Sequence, residues 1–365
     1  MDDSIKQKGL ELLRKFSEAH GAPGYEHEVR RLFRNEMGEG VVTDRAGDIF
    51  CEIKGSSSVP RIMLAAHMDE VGLMVQSITG DGFIRFLPLG GWWAHTLLGQ
   101  RMRIRTRSGV EIPGVIGAKP PHFLSDAERD KLMKIEDMFI DVGAKDAAEV
   151  HAFGIRLGDT IVPESTFTRM HNPDYVVSKA FDDRAGLSLI VQAARELRGR
   201  SHPNTVIAAG TVQEEVGLRG ARTAASFVNP DIAIVVEGAP GDDLPGTGKD
   251  ERQAALGAGV QIRIVDSSAI MNRNLVDFAT DIAEKNGIPY QVAVRRKGGT
   301  DASPIQLHGT GVPVMVMAVP ARYAHTHNTI LNLTDYVNTL NLILKVVEAI
   351  DEETAKRIGS FEERI

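Results

Sequence analysis

The sequence predicts an α/β protein, with a three-layer α/β/α domain around a mixed sheet and a small β-rich, barrel-like insertion within it. Three observations carry this. After Asp182, helical periodicity alternates with short apolar runs, the pattern of buried strands separated by helices. Between Val71 and Phe167, long helical periodicity is nearly absent and short turn-bounded runs replace it. The length of 365 residues suits two domains, at roughly 100–200 residues each. The interrupted domain accordingly spans 1–70 and 168–365, and the insertion 71–167.

Each element has its own signal. Leu10, Leu13, Phe16 and Ala19 share one face of a first helix, which Gly21-Ala22-Pro23-Gly24 breaks. Val29, Leu32, Phe33 and Met37 repeat at helical spacing in a second. Strands follow at 48–53 and 61–66, the latter apolar enough for the buried sheet. The insertion holds strand-like runs at 72–78, 83–87, 102–106 and 111–116, both tryptophans (Trp92-Trp93), and a proline-stiffened loop, Lys119-Pro120-Pro121-His122. Beyond it come helices at 185–197, 219–227, 271–285 and 333–352, and strands at 205–212, 232–236, 260–265, 291–294 and 314–319.

Composition narrows the function. Lys plus Arg number 42 and Asp plus Glu 49, a net charge of −7 with no basic block, which argues against nucleic acid or an anionic membrane as partner. Cys51 is the single cysteine, so no intrachain disulfide forms, which fits a reducing, cytoplasmic setting. The first residues are charged and lack the apolar core of a signal peptide. The strongest late apolar run, 312–321, is broken by Pro313 and Pro320, and no run reaches the ~18 apolar residues of a membrane span.

In a sheet of this kind, function gathers at the carboxyl ends of the strands. Reading those ends gives His67-Met68-Asp69, Gln213-Glu214-Glu215, Glu237-Gly238 and, after the last strand, Arg322-Tyr323-Ala324-His325; Asp182-Asp183 precedes the helix at 185. Singly, each has a bland explanation: a hydrogen-bonded histidine, a helix cap, a solvated strand end. Together they suggest a dinuclear metal site, since imidazole plus carboxylate suits zinc, cobalt or manganese. Residues two apart on an extended chain face the same side, so Asp69 is expected to accept from the His67 ring. Adjacent strand residues face opposite sides, so one of Glu214 and Glu215 is expected to bind metal and the other to act as a base. No G-x-S-x-G elbow is present, and Cys51 lies outside these clusters.

The ordered set Gly21-Ala22-Pro23-Gly24-Tyr25-Glu26, Ala66-His67-Met68-Asp69-Glu70-Val71-Gly72, Gly117-Ala118-Lys119-Pro120-Pro121-His122, Asp182-Asp183-Arg184-Ala185-Gly186, Gln213-Glu214-Glu215-Val216-Gly217, Gly298-Gly299-Thr300-Asp301-Ala302 and Arg322-Tyr323-Ala324-His325 runs almost end to end. It resembles the tetrahedral aminopeptidases, the glutamyl and deblocking aminopeptidases with two metal ions, some of which have been labelled endoglucanases. The resemblance implies removal of N-terminal residues from peptides through a hydroxide shared by two divalent ions, zinc or cobalt. It implies His67 on one ion, His325 on the other, Asp182 bridging, and Glu215 and Glu237 completing the shell. Glu214 would be the general base, with Asp69 orienting His67. Glu237 stands where the family usually has Asp, and His327 offers itself as a substitute for His325. Gly299, Thr300 and Asp301 are expected to bind substrate, unless Thr300 or Asp301 merely caps the next helix. His122 is expected on a mobile lid. Lys249, Arg252 and Arg296 are cations available to select an acidic substrate. The family also implies a homo-oligomer, a tetrahedral dodecamer, with the insertion at the dimer contact and Trp92-Trp93 as its anchor. The alternatives are a glycoside hydrolase using paired carboxylates, which leaves His67 and His325 without a role, and an inactive scaffold subunit.

Overall fold

The structure, a computed structural model, describes residues 3–361. Two helices open the chain, α1 (Asp3–Glu18) and α2 (His27–Met37), and each buries the apolar face that its spacing defines: Leu13 and Phe16 from α1, Val29, Phe33 and Met37 from α2. Strands β1 (Val41–Thr43), β2 (Ile49–Lys54) and β3 (Arg61–His67) begin the main sheet. The chain then leaves for β4 (Gly72–Ile78), β5 (Phe83–Leu89), β6 (Arg101–Arg105), β7 (Glu111–Gly117), β8 (Phe139–Asp141) and β9 (Thr160–Pro163). These six close into an antiparallel barrel in the order β4-β5-β8-β7-β6-β9, around their own core of Leu73, Ile84, Met102, Ile104, Ile140 and Ile161. Helices α3 (Asp126–Arg129) and α4 (Ala147–Ala152) lie within this excursion.

The chain returns through β10 (Thr168–Arg169) and β11 (Tyr175–Ser178) into α5 (Phe181–Leu197), β12 (Thr205–Thr211), α6 (Arg219–Val228), β13 (Ile232–Pro240), β14 (Val260–Val265), α7 (Arg273–Asn286), β15 (Tyr290–Val294), α8 (Ala302–Gln306), β16 (Val314–Arg322), β17 (Thr329–Asn332), α9 (Leu333–Ala349) and α10 (Glu352–Gly359). The main sheet runs β1-β2-β12-β3-β13-β16-β17-β11-β10, with β14 antiparallel to β16 and β15 parallel to β14. Strands β12, β3, β13 and β16 are mutually parallel. Their carboxyl ends therefore open on one edge, as the sequence predicts. β3, β12 and β13 are buried almost throughout, which is why they read as unbroken apolar runs rather than alternations.

Some elements differ from expectation. The strand at 232 continues through Glu237 to Pro240, so Glu237 sits within it. The final helix breaks at Ile350-Asp351, where the Asp351 side chain accepts from the Thr354 amide and starts α10. Among the described residues no helix is long and apolar enough to cross a membrane.

Candidate metal centre

Two glycines let α5 press its first turn against β13. A Cβ on Gly186 would lie 2.2 Å from the Val236 carbonyl oxygen, and one on Gly238 would lie 2.1 Å from that of Phe181. Asp182 and Asp183, at the start of α5, have non-helical backbone angles. Their side chains divide the work. Asp183, fully buried, accepts from the amides of Gly186 (2.9 Å), Gly238 (2.9 Å) and His67 (3.1 Å), tying α5, β13 and β3 together. Asp182 instead faces the open strand ends.

There it lies between two imidazoles. Asp182 Oδ1 is 3.2 Å from His67 Nε2, and Oδ2 is 3.2 Å from His325 Nε2. His325 Nε2 is also 3.3 Å from Glu215 Oε1, and His67 Nε2 is 3.8 Å from Glu237 Oε2 and 4.0 Å from Glu214 Oε2. Each ring gives its other nitrogen to a backbone carbonyl: His67 Nδ1 to Asp69 O (3.1 Å) and His325 Nδ1 to Gly91 O (2.7 Å). A carbonyl only accepts, so both Nδ1 atoms carry hydrogen and both Nε2 atoms are left for the centre. The six expected ligand and base residues thus converge: His67, Asp182 and Glu237 offer ligand atoms within 4.8 Å of one another, as do Asp182, Glu215 and His325, and as do His67, Glu214 and Glu215.

This donor set fits divalent ions. Burial pushes Glu237 up to about 8, with the charge of Asp182 adding to it. Burial likewise raises Glu214 well above the usual carboxylate range, helped by Glu237, Asp301 and Glu215, and it raises Glu215 too. Burial pulls the two imidazoles down, but the surrounding carboxylates outweigh it: His67 is held well above its usual value by Glu214, Asp182 and Asp69, and His325 is pushed up to about 11 by Asp182 and Glu215. The cluster holds more buried negative charge than its own groups neutralise. A positive charge between each Nε2 and its carboxylates relieves that excess.

Two expected arrangements come out differently. The Asp69 carboxylate is not the nearest partner of the His67 ring; Oδ1 stands 3.5 Å from Nδ1, and the shorter bond is to the Asp69 carbonyl. The carboxylate accepts from the amides of Glu214 (2.9 Å) and Glu215 (3.1 Å). Nor does strand alternation separate those glutamates. β12 ends at Thr211, and Gln213 takes a left-handed φ of 55°, so the pair stands in a turn. Left-handed non-glycine residues crowd here: Ala180, Gln213, Leu218, Tyr323 and His325 all lie beside the site. Such conformations cost energy and cluster where geometry is functional.

A cavity of about 750 Å³ opens over the centre, lined by Asp182, Glu214, Glu215, Glu237 and His325 and also by Arg263, Arg295, Arg296 and Lys297. Gly299 and Thr300 line it, with the Thr300 hydroxyl bonded to Asp266 (3.1 Å). Asp301 lies beneath, fully buried, and accepts from the Thr211 hydroxyl; it makes no capping hydrogen bond to α8. His122 is exposed on a short turn (Pro121–Phe123) and does not line the cavity. His327 is buried away from the cluster, with Nε2 3.0 Å from the Arg101 carbonyl. Of the three expected cations, Arg296 lines the cavity, whereas Lys249 and Arg252 do not. Sequence reasoning missed the role of Asp183, although it adjoins Asp182. It also missed Gly90-Gly91, the double glycine after β5 that brings the barrel against Glu215 and His325.

Comparison with known proteins gives the family. Residues 47–342 match the family of M42 glutamyl aminopeptidases. The chain is 36% identical to the glutamyl aminopeptidase of Lactococcus lactis subsp. cremoris, over 96% of this chain and 98% of that one. It superposes on the TET aminopeptidase of a marine-sediment Thaumarchaeota archaeon with a TM-score of 0.92 and 39% identity, covering 96% and 99% of the two chains. Pyrococcus horikoshii TET1 peptidase, which assembles into a tetrahedron or a large octahedral shell, superposes with a TM-score of 0.84 and 34% identity, covering 94% and 100%.

Proposed function

The chain belongs to the M42 glutamyl aminopeptidase family, and from that premise we propose that it removes N-terminal residues with two divalent ions, zinc or cobalt, held by His67, Asp182 and Glu237 and by Asp182, Glu215 and His325. The observation that carries this is the shared Asp182, whose two oxygens each face a different imidazole at 3.2 Å. Bound there, the ions would supply Lewis acidity to water and to the scissile carbonyl. The chain's own residues do the rest. Glu214, beside the cluster but needed by neither donor triad that contains Asp182, takes the proton of the attacking water and returns it to the leaving amine. Carboxylate oxygens beside the ions accept hydrogen bonds from the substrate's α-amino group and so favour a free N-terminus. Asp69 fixes the backbone that carries Glu214 and Glu215, and Gly299 and Thr300 form the substrate wall.

The cations that line the cavity support a preference for an acidic N-terminal residue. Arg263 is buried with no partner at Nε, and its Asp266 contact is 3.6 Å long. Arg295 is paired to Asp242 but leaves Nη2 unpartnered. Arg296 and Lys297 make no ion pair among the described residues. A buried guanidinium facing a cavity favours an anion there. Rates on aminoacyl p-nitroanilides, before and after chelation, test both statements. Activity should vanish on chelation, return with zinc or cobalt, and favour glutamyl and aspartyl over lysyl substrates. A glycosidase would survive chelation.

We assign catalysis to residues 1–70 and 168–365 and subunit contacts to 71–167. The exposed Trp93, at 64%, and Leu87, at 47%, support an interface on the barrel; Trp92 is instead tied inward through Nε1 to the Gly72 carbonyl. A homododecamer in the cytoplasm, with peptides as substrates and His122 on a lid that reaches a neighbouring site, completes the reading. The buried, free Cys51 suits that compartment.

A further inference from the structure

The turn that carries Glu214 and Glu215 is suspended from carboxylates contributed by three distant segments. Four successive backbone amides each donate to one of them: Val212 to Asp48 (2.9 Å), Gln213 to Glu26 (3.2 Å), and Glu214 and Glu215 to the two oxygens of Asp69 (2.9 and 3.1 Å). Asp48 is itself held by the Thr223 hydroxyl at 2.7 Å. Glu26 is the member that the site leaves unexplained. It ends the motif Gly21-Ala22-Pro23-Gly24-Tyr25-Glu26, it belongs to none of the candidate metal groups, and it does not line the cavity, yet it is only 2% exposed.

Its placement has a physical consequence. Glu26 Oε1 accepts from its own turn, the Gly24 amide at 2.7 Å, and from Gln213 across the site. Gln213 is the left-handed residue at which the chain leaves β12 and swings Glu214 toward the cluster. On the far side the turn is closed by the amides of Gly217 and Leu218 on the Glu214 carbonyl, at 2.9 and 2.8 Å. The Gln213 amide is the hinge between these two halves, and its bond to a buried carboxyl oxygen of Glu26 fixes it. Burying that carboxylate is costly unless it is used.

We propose that Glu26 is a positioning residue for the base Glu214, acting through the Gln213 amide. The proposal rests on the reading of Glu214 as the base. Displacing a reacting group by about 1 Å can cost on the order of 10²-fold.

The test measures kcat, KM, metal content and thermal stability for Glu26→Ala and Glu26→Gln, each in the native and in the Glu214→Gln background. Glu26→Ala should lower kcat by about 10-fold or more, with KM and metal content close to native. Glu26→Gln keeps an oxygen acceptor at the same reach and should recover most of that loss. In the Glu214→Gln background, Glu26→Ala should cost nothing further, because its effect passes through the base. Should Glu26→Ala not fold, Glu26→Asp, shorter by one methylene, is read in the same way. A folded Glu26→Ala enzyme with native kcat overturns the proposal, as does an equal loss in both backgrounds. Full activity in Glu214→Gln alone would instead remove the base assignment beneath it.

Discussion

Glu214 and Glu215 are neighbours in sequence and differ in task. Glu215 Oε1 faces His325 Nε2 at 3.3 Å, within the group that includes Asp182. Glu214 stands 4.0 Å from His67 and is held through its backbone by Asp69. Replacing Glu214 by Gln keeps its size but not its capacity to take a proton, so kcat should fall by about 10²–10⁴-fold while both ions stay bound. Glu215→Gln removes a charged ligand and should lose metal first, with partial recovery in excess metal. Metal content per subunit beside kcat separates the two. Loss of metal in Glu214→Gln with retention in Glu215→Gln would reverse the roles.

At the scale of elements, the site depends on how closely α5 approaches β13. Gly186 has no room for a Cβ, which would meet the Val236 carbonyl at 2.2 Å and the Asp183 carboxylate at 2.4 Å. Gly186→Ala should therefore push the start of α5 off the sheet. Overpacking of this kind costs about 1–3 kcal/mol, and the displaced Asp182 should release metal as well. A thermal melt and metal analysis of the variant check this; native stability with full metal content would show that the contact yields. This contact was not legible in the sequence, which places Asp182 before a helix but says nothing of its distance from β13. What was legible followed from periodicity. The apolar runs within β3, β12 and β13 announced buried strands of an α/β sheet, and their ends named His67, Glu214, Glu215 and Glu237. The division between Glu214 and Glu215 was expected from strand alternation, yet it arises from a turn, because the left-handed Gln213 has no sequence signature. Asp69 was expected to act by its carboxylate on His67. The shorter bond is to its carbonyl, while two backbone amides claim the carboxylate.

Across the whole molecule, buried polar groups hold the sheet domain together and tie it to the barrel. Lys179 Nζ contacts both oxygens of Glu70 at 2.6 and 2.8 Å, with Arg184 beside them. His20, after α1, bonds to Thr160 of the barrel through Nε2 at 2.9 Å. Burial lowers the His20 pKa to about 2, with Arg105, Lys179, Arg103 and Arg184 adding to the effect. Its native pKa thus lies far below the unfolded value of about 6.5. The stability it contributes is complete above about pH 6.5 and is lost as pH falls toward 2, because only the unfolded chain takes up the proton. Relative to His20→Gln, the native protein should lose up to about 1.4 kcal/mol per pH unit below that point. Urea unfolding of both proteins between pH 7.5 and about 5 measures the difference; parallel curves would mean that His20 is already protonated in the fold.

The shared carboxylate of Asp182 is the centre of the site. If it bridges two ions, the native protein binds two per subunit, and Asp182→Asn, which removes a charge from both triads, binds neither firmly. Glu237→Gln, which touches one triad, should keep the ion held by Glu215 and His325. Metal stoichiometry of the purified native protein, Asp182→Asn and Glu237→Gln, determined by elemental analysis after equilibration with zinc or cobalt, is the direct measurement. Two, none and one are expected; a native protein with a single ion, or an Asp182→Asn variant that retains two, would contradict the bridging role of Asp182.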